Sequence, residues 1–205
     1  MSDVAEVVAA IRKGKVVVLP TDTVYGLACT PYREEPVRAL AGLKGRQEEQ
    51  PIAFVAASVD RLVECIPELR GVTERVAREL LPGPYTLVVP NPAGRFGWLT
   101  GDRPGAIGVR VPALDGASAE VLEEVRALAA TSANLHGEPD PRRLGEVPDA
   151  ILGQVAAVLD GGDLPGSPST VLDLTGDEPR VLREGAVPAG EAHERVAGIW
   201  GQASA

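Results

Sequence analysis

The sequence predicts an α/β fold built on a mixed sheet with flanking helices. Short apolar runs bounded by turn residues alternate with segments of helical spacing in the first two thirds of the chain, and two strand-like runs follow one another near its end. Strands separated by helices favour parallel pairing, whereas consecutive strands favour a hairpin. The 205 residues, 44% of them hydrophobic, are enough for one globular domain with a substantial core.

The N-terminal elements are indicated by local patterns. Apolar residues recur at helical spacing within 4–11, Ser2 and Asp3 can cap that helix, and Gly14 ends it. The continuous apolar run VVVLP at 16–20 predicts a buried strand. The following stretch, TDTVYGLACTPYREE, is interpreted as a loop because it is rich in turn residues.

The rest of the chain continues this alternation. A second helix is expected from Pro36 to Leu43, since proline is tolerated in the first turn of a helix. Further strands are predicted at PIAFVAAS, YTLVVP, AIGVRVP, the start of LAATSANLHGEPDP, AAVLDGG, and in a hairpin formed by STVLDLT and PRVLREG. Further helices are predicted at VTERVARELL, ASAEVLEEVRALA, PDAILGQV and GEAHERVAGIW. The glycine-rich loop from Asn91 to Gly105 is a candidate lid.

The composition disfavours several classes of function. A formal charge of −9 and a pI of about 4.8 argue against a broad surface for nucleic acid, because phosphate binding needs clustered Lys and Arg. Cys29 and Cys65 form no CxxC pair and indicate reduced thiols in a cytoplasmic protein. The N-terminus lacks the basic region of a signal peptide, and no run approaches the roughly 18 apolar residues of a membrane helix.

Polar clusters follow several of the predicted strands, where α/β sheets commonly bind ligands. The clusters are PTDTVYG with Thr23, KGR with Lys44 and Arg46, TSAN with Ser132 and Asn134, and PSTVLDL with Ser169. A lysine and an arginine together can bind different oxygens of a polyphosphate. Each cluster also has an ordinary structural interpretation, since hydroxyl-containing turns need no ligand and cations are favoured at a helix C-terminus.

Two arginines lie within predicted strands. Arg110 interrupts the apolar run AIGVRVP, and Arg183 belongs to VLREG. An arginine in a core strand needs an anionic partner or a cavity, whereas an arginine on an edge strand can face water. The local sequence leaves both alternatives open for each of them.

Common catalytic signatures are absent from the sequence. It contains no GxxxxGK[ST] phosphate loop, no GxGxxG, no HExxH and no GxSxG elbow. With only His136 and His193, a histidine-rich metal site is excluded. Any nucleotide must therefore bind without the common phosphate loops.

The order of the clusters resembles the YrdC/TsaC family, the threonylcarbamoyl-AMP synthases. PTDTVYGLAC, KGR followed by QP, LPGPYT, GVRVP, TSAN, PSTVLDL and VLREGA succeed one another over about residues 4–190. Each motif is short, but seven in one order are specific. The resemblance implies a single YrdC-like domain over 1–205, in which an open twisted mixed sheet with flanking helices surrounds a concave cationic cavity and a short C-terminal helix follows the core.

The resemblance also implies a reaction. The family joins L-threonine, bicarbonate and ATP into threonylcarbamoyl-AMP and releases pyrophosphate, so the expected class is a nucleotidyltransferase with Mg²⁺ accompanying ATP. A downstream threonylcarbamoyl transferase complex then modifies tRNA, with which this chain would make only weak or transient contact. A cytoplasmic location follows from this role.

The family's site residues map onto positions of this sequence. The resemblance implies catalytic roles for Lys44 and Arg46, and an ATP site formed by Lys44, Arg46, Gln50, Asn134 and Arg183. It implies threonine contacts from Thr23, Arg110, Ser132 and Ser169, with no protein ligand to a metal. Arg110 is expected to hold the threonine carboxylate. Some relatives also hold threonine with a histidine, where this chain has Val55.

Two other interpretations stay open. The first is a non-catalytic RNA-binding module of the same fold, which the charge of −9 and the aromatic content of 3% disfavour. The second is a carbamoyl-transfer module, like the similar domain within hydrogenase-maturation proteins. That module is accompanied by zinc-binding domains, and this sequence has no cysteine clusters.

Overall fold

A twisted sheet of nine strands forms the centre of the computed structural model, which describes residues 2–45 and 50–201. The helices are α1 (Val4–Arg12), α2 (Glu34–Leu43), α3 (Val59–Cys65), α4 (Val72–Leu80), α5 (Gly116–Val125), α6 (Asp149–Leu152) and α7 (Ala189–Gly201). The strands are β1 (Val17–Pro20), β2 (Tyr25–Cys29), β3 (Ala53–Ala56), β4 (Tyr85–Pro90), β5 (Ala106–Arg110), β6 (Ala127–Ser132), β7 (Ala157–Val158), β8 (Thr170–Asp173) and β9 (Arg180–Arg183). Within the described residues, no helix has the length and apolarity needed to cross a membrane.

The sheet is mixed, as the alternation of elements predicted. Its strand order is β7-β1-β2-β6-β3-β5-β4-β8-β9. The β1–β7, β3–β5 and β4–β8 pairs are parallel, whereas the consecutive strands β1–β2 and β8–β9 form antiparallel hairpins. The predicted fold class and the C-terminal hairpin are therefore confirmed.

Helix α1 begins where the sequence predicts. The carboxylate of Asp3 accepts a hydrogen bond of 2.8 Å from the backbone N–H of Glu6, and the Glu6 carboxylate accepts one of 3.3 Å from the N–H of Asp3. This reciprocal pair is a capping box, which satisfies two backbone donors at the helix start. Ser2, the other candidate cap, instead donates its backbone N–H to the carbonyl of Val158 in β7.

The prediction of a loop over TDTVYGLACTPYREE is wrong at its centre. Tyr25–Cys29 forms β2, whose five residues are all buried. The strand pairs with β1 on one side and β6 on the other. The strand was not predicted because it is short and turn residues flank it on both sides. Its place inside the sheet, rather than its own residue preferences, makes it a strand.

Three helices also differ from the sequence pattern. Helix α5 ends at Val125, four residues before the predicted end at Ala129, because Ala127–Ala129 pairs within the sheet as the start of β6. Helix α2 begins at Glu34, two residues before the predicted start at Pro36. Helix α3 is not indicated by the pattern, and Ser58 caps it by accepting a hydrogen bond of 3.1 Å from the backbone N–H of Arg61. Its seven residues are too few for a clear helical period, which explains why the pattern missed it.

The sheet carries a hydrophobic core on each face. On one face, the apolar residues of the central strands pack with α2, α3, α4 and α7, around buried residues such as Phe54, Leu87 and Val109. On the other face, a smaller core joins α1 and α5 to the sheet around Leu19 and Leu128. Successive residues of a strand point to opposite faces, so the same strands supply both cores.

Candidate active site

A cavity of about 450 Å³ opens on the face of the sheet that carries α1 and α5. In β4, Thr86 and Val88 line this cavity, whereas the intervening Leu87 belongs to the core of the opposite face. In β5, Gly108 and Arg110 line it in the same alternating way. The volume falls within the range of about 300–1,000 Å³ that is typical of small-molecule sites.

The charged residues of the described lining are mostly cationic. Arg103, Arg110 and Arg183 face the cavity, and Asp140 is the acidic residue among the described lining. The ammonium group of Lys44 donates a hydrogen bond of 2.8 Å to Oγ of the lining residue Ser132. The sheet thus forms a concave cationic cavity, as predicted, although the whole chain is acidic.

Lys44 of the KGR cluster meets the TSAN cluster at one wall of this cavity. The Nζ of Lys44 donates to the carbonyl of Ser132 at 2.7 Å, to its Oγ at 2.8 Å, and to Oδ1 of Asn134 at 2.5 Å. The Oγ of Ser132 also donates to Oδ1 of Asn134 at 2.6 Å. Lys44 is only 3% exposed, so the alternative of a solvated lysine at the end of α2 is wrong. The structure instead places this cation against the end of β6.

Arg110 has both an anionic partner and a cavity. Its strand β5 lies between β3 and β4, so the alternative of an edge strand is wrong. Its Nη2 donates to Oδ1 of Asp22 and, at 3.0 Å, to Oγ1 of Thr23. Burial lowers the pKa of Arg110, and the charge of Arg183 acts in the same direction, whereas Asp22 opposes them. Arginine stays protonated in proteins, so the cavity keeps this positive charge.

The turn between β1 and β2 holds the predicted residue Thr23. Oγ1 of Thr21 donates to the carbonyl of Val24 at 2.7 Å and accepts from the N–H groups of Thr23 and Val24. This is the hydroxyl turn that the ordinary interpretation expected. The turn also has a second role, because it aims Thr23 and Asp22 at Arg110. Thr23 lines the cavity and is 1% exposed.

Ser169 and Arg183 meet at the opposite wall. The guanidinium of Arg183 donates to the carbonyl of Ser169 from Nε at 3.2 Å and from Nη2 at 2.8 Å. Nη2 also lies 3.2 Å from Oγ of Ser169, which lies 2.8 Å from Oγ1 of Thr86. Arg183 does lie on the edge strand β9, yet its side chain turns back to line the cavity.

Of the remaining positions singled out in the sequence, Gln50 and Val55 line the cavity and Arg46 lies outside the described residues. Gln50 lines the cavity, and its buried Oε1 accepts no hydrogen bond from the residues that the structure describes. Val55 also lines the cavity and pairs in register with Arg110. The structure therefore brings eight of the nine predicted site residues to the cavity or its wall and describes no position for the ninth.

The candidate lid is anchored at several points. The backbone N–H of Asn91 donates to the carbonyl of Gly105 at 2.8 Å, which closes the base of the loop. Within the loop, the ring of Phe96 packs against Phe54 with centroids 4.8 Å apart, and Trp98 donates to the carbonyl of Pro31 at 2.9 Å. That the loop closes over a ligand stays a prediction.

Several lining residues were not predicted as site residues, among them one polar and two charged residues that bear on the chemistry of the cavity, Thr86, Asp140 and Arg103. Arg103 comes from the candidate lid, and its Nη2 donates to Oδ2 of the buried Asp173 at 3.1 Å. Thr86 lies in the motif LPGPYT, and its place in the alternation of β4 could have indicated it. No pattern in the sequence indicates Asp140, which follows the TSAN cluster in an irregular segment.

Comparison with known proteins places the chain in a family. The Sua5_yciO_yrdC family model, described as "Telomere recombination", matches residues 9–185. The threonylcarbamoyl-AMP synthase of Pyrococcus abyssi is 36% identical over 189 residues, which are 92% of this chain and 55% of that protein. The threonylcarbamoyl-AMP synthase of Xanthomonas campestris pv. campestris is 34% identical over 161 residues, which are 78% of this chain and 86% of that protein.

A solved structure agrees with the sequence matches. Pyrococcus abyssi Sua5 complexed with L-threonine superposes with a TM-score of 0.87 at 34% identity, over 96% of this chain and 57% of that chain. The chain thus spans about half the length of the Pyrococcus relatives but most of the Xanthomonas relative. The match of the family model to residues 9–185, together with relatives 34–36% identical over most of the chain, establishes that the chain belongs to the Sua5/YciO/YrdC family.

Proposed function

We propose that this protein is an L-threonylcarbamoyladenylate synthase, a nucleotidyltransferase that forms threonylcarbamoyl-AMP and pyrophosphate from L-threonine, bicarbonate and ATP. The observation that carries the proposal is the cavity, in which cations and hydrogen-bonding side chains from both ends of the chain converge on one face of the sheet. Relatives of similar sequence are named for this activity, and one is solved with L-threonine. The RNA-binding alternative gains no support from these comparisons.

The cations suit a phosphoryl-transfer reaction. The carbamate of threonine attacks the α-phosphorus of ATP, and negative charge then builds on phosphoryl oxygens and on the departing pyrophosphate. Preorganised cations stabilise such a charge distribution. The ammonium group of Lys44 donates to Ser132 and Asn134, which fixes the position of its positive charge at the cavity wall before a ligand binds. Arg46, two residues later, and Arg183 at the opposite wall complete the proposed set.

Threonine would bind beside Arg110. The guanidinium of Arg110 can pair with the substrate carboxylate, while Thr23 and Ser169 line the same cavity and Ser132 borders the Lys44 cluster. Val55 presents an apolar surface next to Arg110. Threonine is therefore held without an imidazole at this position, and its methyl group has an apolar neighbour.

The nucleotide would lie towards Gln50 and Asn134. The Oε1 of Gln50 is a buried acceptor without a partner among the described residues, which is costly unless a ligand supplies a donor. An amino group of adenine or a hydroxyl of ribose supplies such a donor. Asn134 contributes through the Lys44 cluster, since its Oδ1 binds that ammonium group.

We also propose that Mg²⁺ enters with ATP. The described residues contain no group of three or more His, Cys, Asp and Glu side chains that could hold a metal. The proposal rests on the chemistry of Mg²⁺, which commonly keeps several waters and binds mainly to substrate phosphates. The ion would neutralise phosphate charge, while the side chains of the cavity bind and orient the substrates.

The product of this reaction is a labile mixed anhydride, so it must pass quickly to an acceptor. We propose that a downstream threonylcarbamoyl transferase complex uses it to modify tRNA, and that this chain contacts tRNA only weakly. A cytoplasmic location fits this role and the two free cysteines.

The test is incubation of the protein with ATP, L-threonine, bicarbonate and Mg²⁺. Pyrophosphate release that requires both threonine and bicarbonate is expected, together with threonylcarbamoyl-AMP detected by mass spectrometry. A folded protein that releases no pyrophosphate but binds tRNA with a strong dependence on salt would overturn the proposal and favour the RNA-binding module.

A further inference from the structure

Asp22 forms a buried ion pair with Arg110 across the cavity. Asp22 lies in the turn between β1 and β2, and Arg110 ends β5. The side chain of Asp22 is 9% exposed and that of Arg110 is 11% exposed. Strands β6 and β3 separate β2 from β5, which corresponds to about 14 Å at the usual strand spacing. The turn therefore reaches over two strands to make this contact.

The hydrogen bonds of the pair use both hydrogens of one guanidinium nitrogen and both oxygens of the carboxylate. Both hydrogens of Nη2 of Arg110 are used, because Nη2 donates to Oδ1 of Asp22 and to Oγ1 of Thr23. The other oxygen of Asp22, Oδ2, accepts a hydrogen bond of 3.0 Å from the backbone N–H of Ala113. Asp22 is thus held by the segment that follows β5, and it holds one nitrogen of the guanidinium in turn.

The remaining nitrogens of Arg110 have no protein partner within the described residues. Nε is buried without an acceptor there, and no hydrogen bond from Nη1 to a described residue is present. A guanidinium is planar, so fixing Nη2 at two acceptors fixes the orientation of the whole group. Since Nη2 is fully used and Nε is buried, Nη1 is the guanidinium nitrogen left to bind a ligand in the cavity that Arg110 lines.

From this geometry we infer that Asp22 is a positioning residue, which orients the Arg110 guanidinium for the carboxylate of the amino-acid substrate. The inference rests on the proposed function in its choice of L-threonine as the ligand. Asp22 does not touch the substrate in this account. Its carboxylate prepares the binding geometry before the ligand arrives, which reduces the ordering cost of binding.

Isothermal titration of L-threonine into the Asp22→Asn variant tests the inference without requiring catalysis. Asparagine keeps the size of the side chain but removes the charge and turns one oxygen into a donor. The dissociation constant for threonine is expected to rise at least tenfold. The Michaelis constant for ATP is expected to stay within twofold, which a general structural defect would not allow. The Asp60→Asn variant is the matched control, since it removes the carboxylate of an exposed Asp–Arg pair at Arg78.

A second comparison tests whether Asp22 acts through Arg110. In an Arg110→Lys background, the further change Asp22→Asn is expected to alter threonine affinity by less than twofold, because the guanidinium to be oriented is gone. An additional tenfold loss in the double variant would show that Asp22 contacts the ligand itself and would overturn the positioning role. If Asp22→Asn fails to fold, Asp22→Glu keeps the charge and displaces it by one methylene, and an intermediate loss of affinity is expected.

The outcomes separate this inference from the proposed function. Unchanged or tighter threonine binding in folded Asp22→Asn overturns the inference, and tighter binding would mean that Asp22 competes with the ligand for Arg110. A wild-type protein that does not bind threonine overturns it as well. A wild-type protein that binds threonine but releases no pyrophosphate overturns the proposed function, while the titrations still decide the role of Asp22.

Discussion

The ammonium group of Lys44 lies 2.5 Å from Oδ1 of Asn134, although the two residues are 90 positions apart in the chain. Lys44 follows the last turn of α2, and Asn134 follows β6. The contact joins two short motifs of the sequence into one cluster at the cavity wall. It also means that Lys44 is oriented by neighbours before any ligand binds.

We expect Lys44→Met to lower the rate of threonine-dependent pyrophosphate release more than tenfold. Methionine keeps an unbranched side chain but removes the cation, and the loss of one charge-stabilising donor typically costs about 2.7–4 kcal/mol in the transition state. The fold should persist, because Oδ1 of Asn134 still accepts from Ser132. Turnover and thermal unfolding of the same preparation check this. Normal turnover in a folded variant would contradict the role of Lys44.

We expect Arg46→Ala to have a similar effect on turnover, also more than tenfold. Its expected role rests on its place two residues after Lys44 in the KGR motif. Arg38→Ala is the matched control, because Arg38 lies on the surface of α2 and pairs with Glu34 at 2.8 Å. Steady-state assays of both variants at saturating ATP check the difference. Equal turnover of the two variants would remove Arg46 from the catalytic set.

We expect Arg110→Ala to affect threonine and stability together. The Michaelis constant for threonine should rise more than tenfold, with that for ATP within threefold. The free energy of unfolding should fall by about 3–5 kcal/mol, because Asp22 is left as a buried charge without its partner. Urea unfolding measures this change. Arg78→Ala is the control, and it should lower the free energy of unfolding by less than about 1 kcal/mol because Arg78 belongs to an exposed pair. An effect confined to ATP would contradict the carboxylate role.

We expect the two cysteines to differ in reactivity. Cys29 lies fully buried in β2, and burial raises its pKa to about 12. At pH 8 only about one molecule in 10⁴ then carries the reactive thiolate. Cys65 is half-buried at the end of α3. A disulfide reagent should therefore label one thiol in the native protein, and Cys65→Ser should abolish the labelling. Rapid labelling of two thiols would contradict the buried position of Cys29.

We expect Asp173 to contribute stability that is lost in acid. Burial alone would raise its pKa, but hydrogen bonds from Thr175 and the guanidinium of Arg103 outweigh burial, so the pKa lies below its ordinary value. A lowered pKa stabilises the folded state above the unfolded value of about 3.9, and this contribution disappears as the pH falls through the folded value. The stability difference between wild type and Asp173→Asn should therefore be constant above about pH 5 and shrink below about pH 4.

Urea unfolding over this pH range checks the prediction for Asp173. The Asp60→Asn variant serves as the control, because its carboxylate is exposed. A stability difference that grows in acid would mean that the pKa of Asp173 is raised in the folded protein. That result would contradict the ion pair between Asp173 and Arg103.

The predicted strands and helices were largely right where a local residue pattern is sufficient to identify the element. The cap of α1, the apolar strands β1, β4 and β5, and the C-terminal hairpin follow from neighbouring residues. The pattern failed at β2, at α3 and at the end of α5, which was predicted to continue over the first residues of β6. The first two elements are short, and β2 is a strand because β1 and β6 pair with it on either side.

The candidate site shows the same division. The order of seven short motifs was enough to indicate the family and nine site residues. It could not show that Lys44 is buried, because that depends on the approach of α2 to the end of β6. It assigned no role to Asp22 of PTDTVYG, because the partner Arg110 lies 88 residues away.

The sequence by itself therefore determined the fold class, most of the elements and the family. Capping, side-chain periodicity and motif order can be recognised from the sequence, because they do not depend on how the strands are ordered in the sheet. Only the tertiary structure decided which charges face one another. The order β2-β6-β3-β5 and the reach of one turn over it bring Asp22 to Arg110, and long-range contacts of this kind depend on how the whole chain packs.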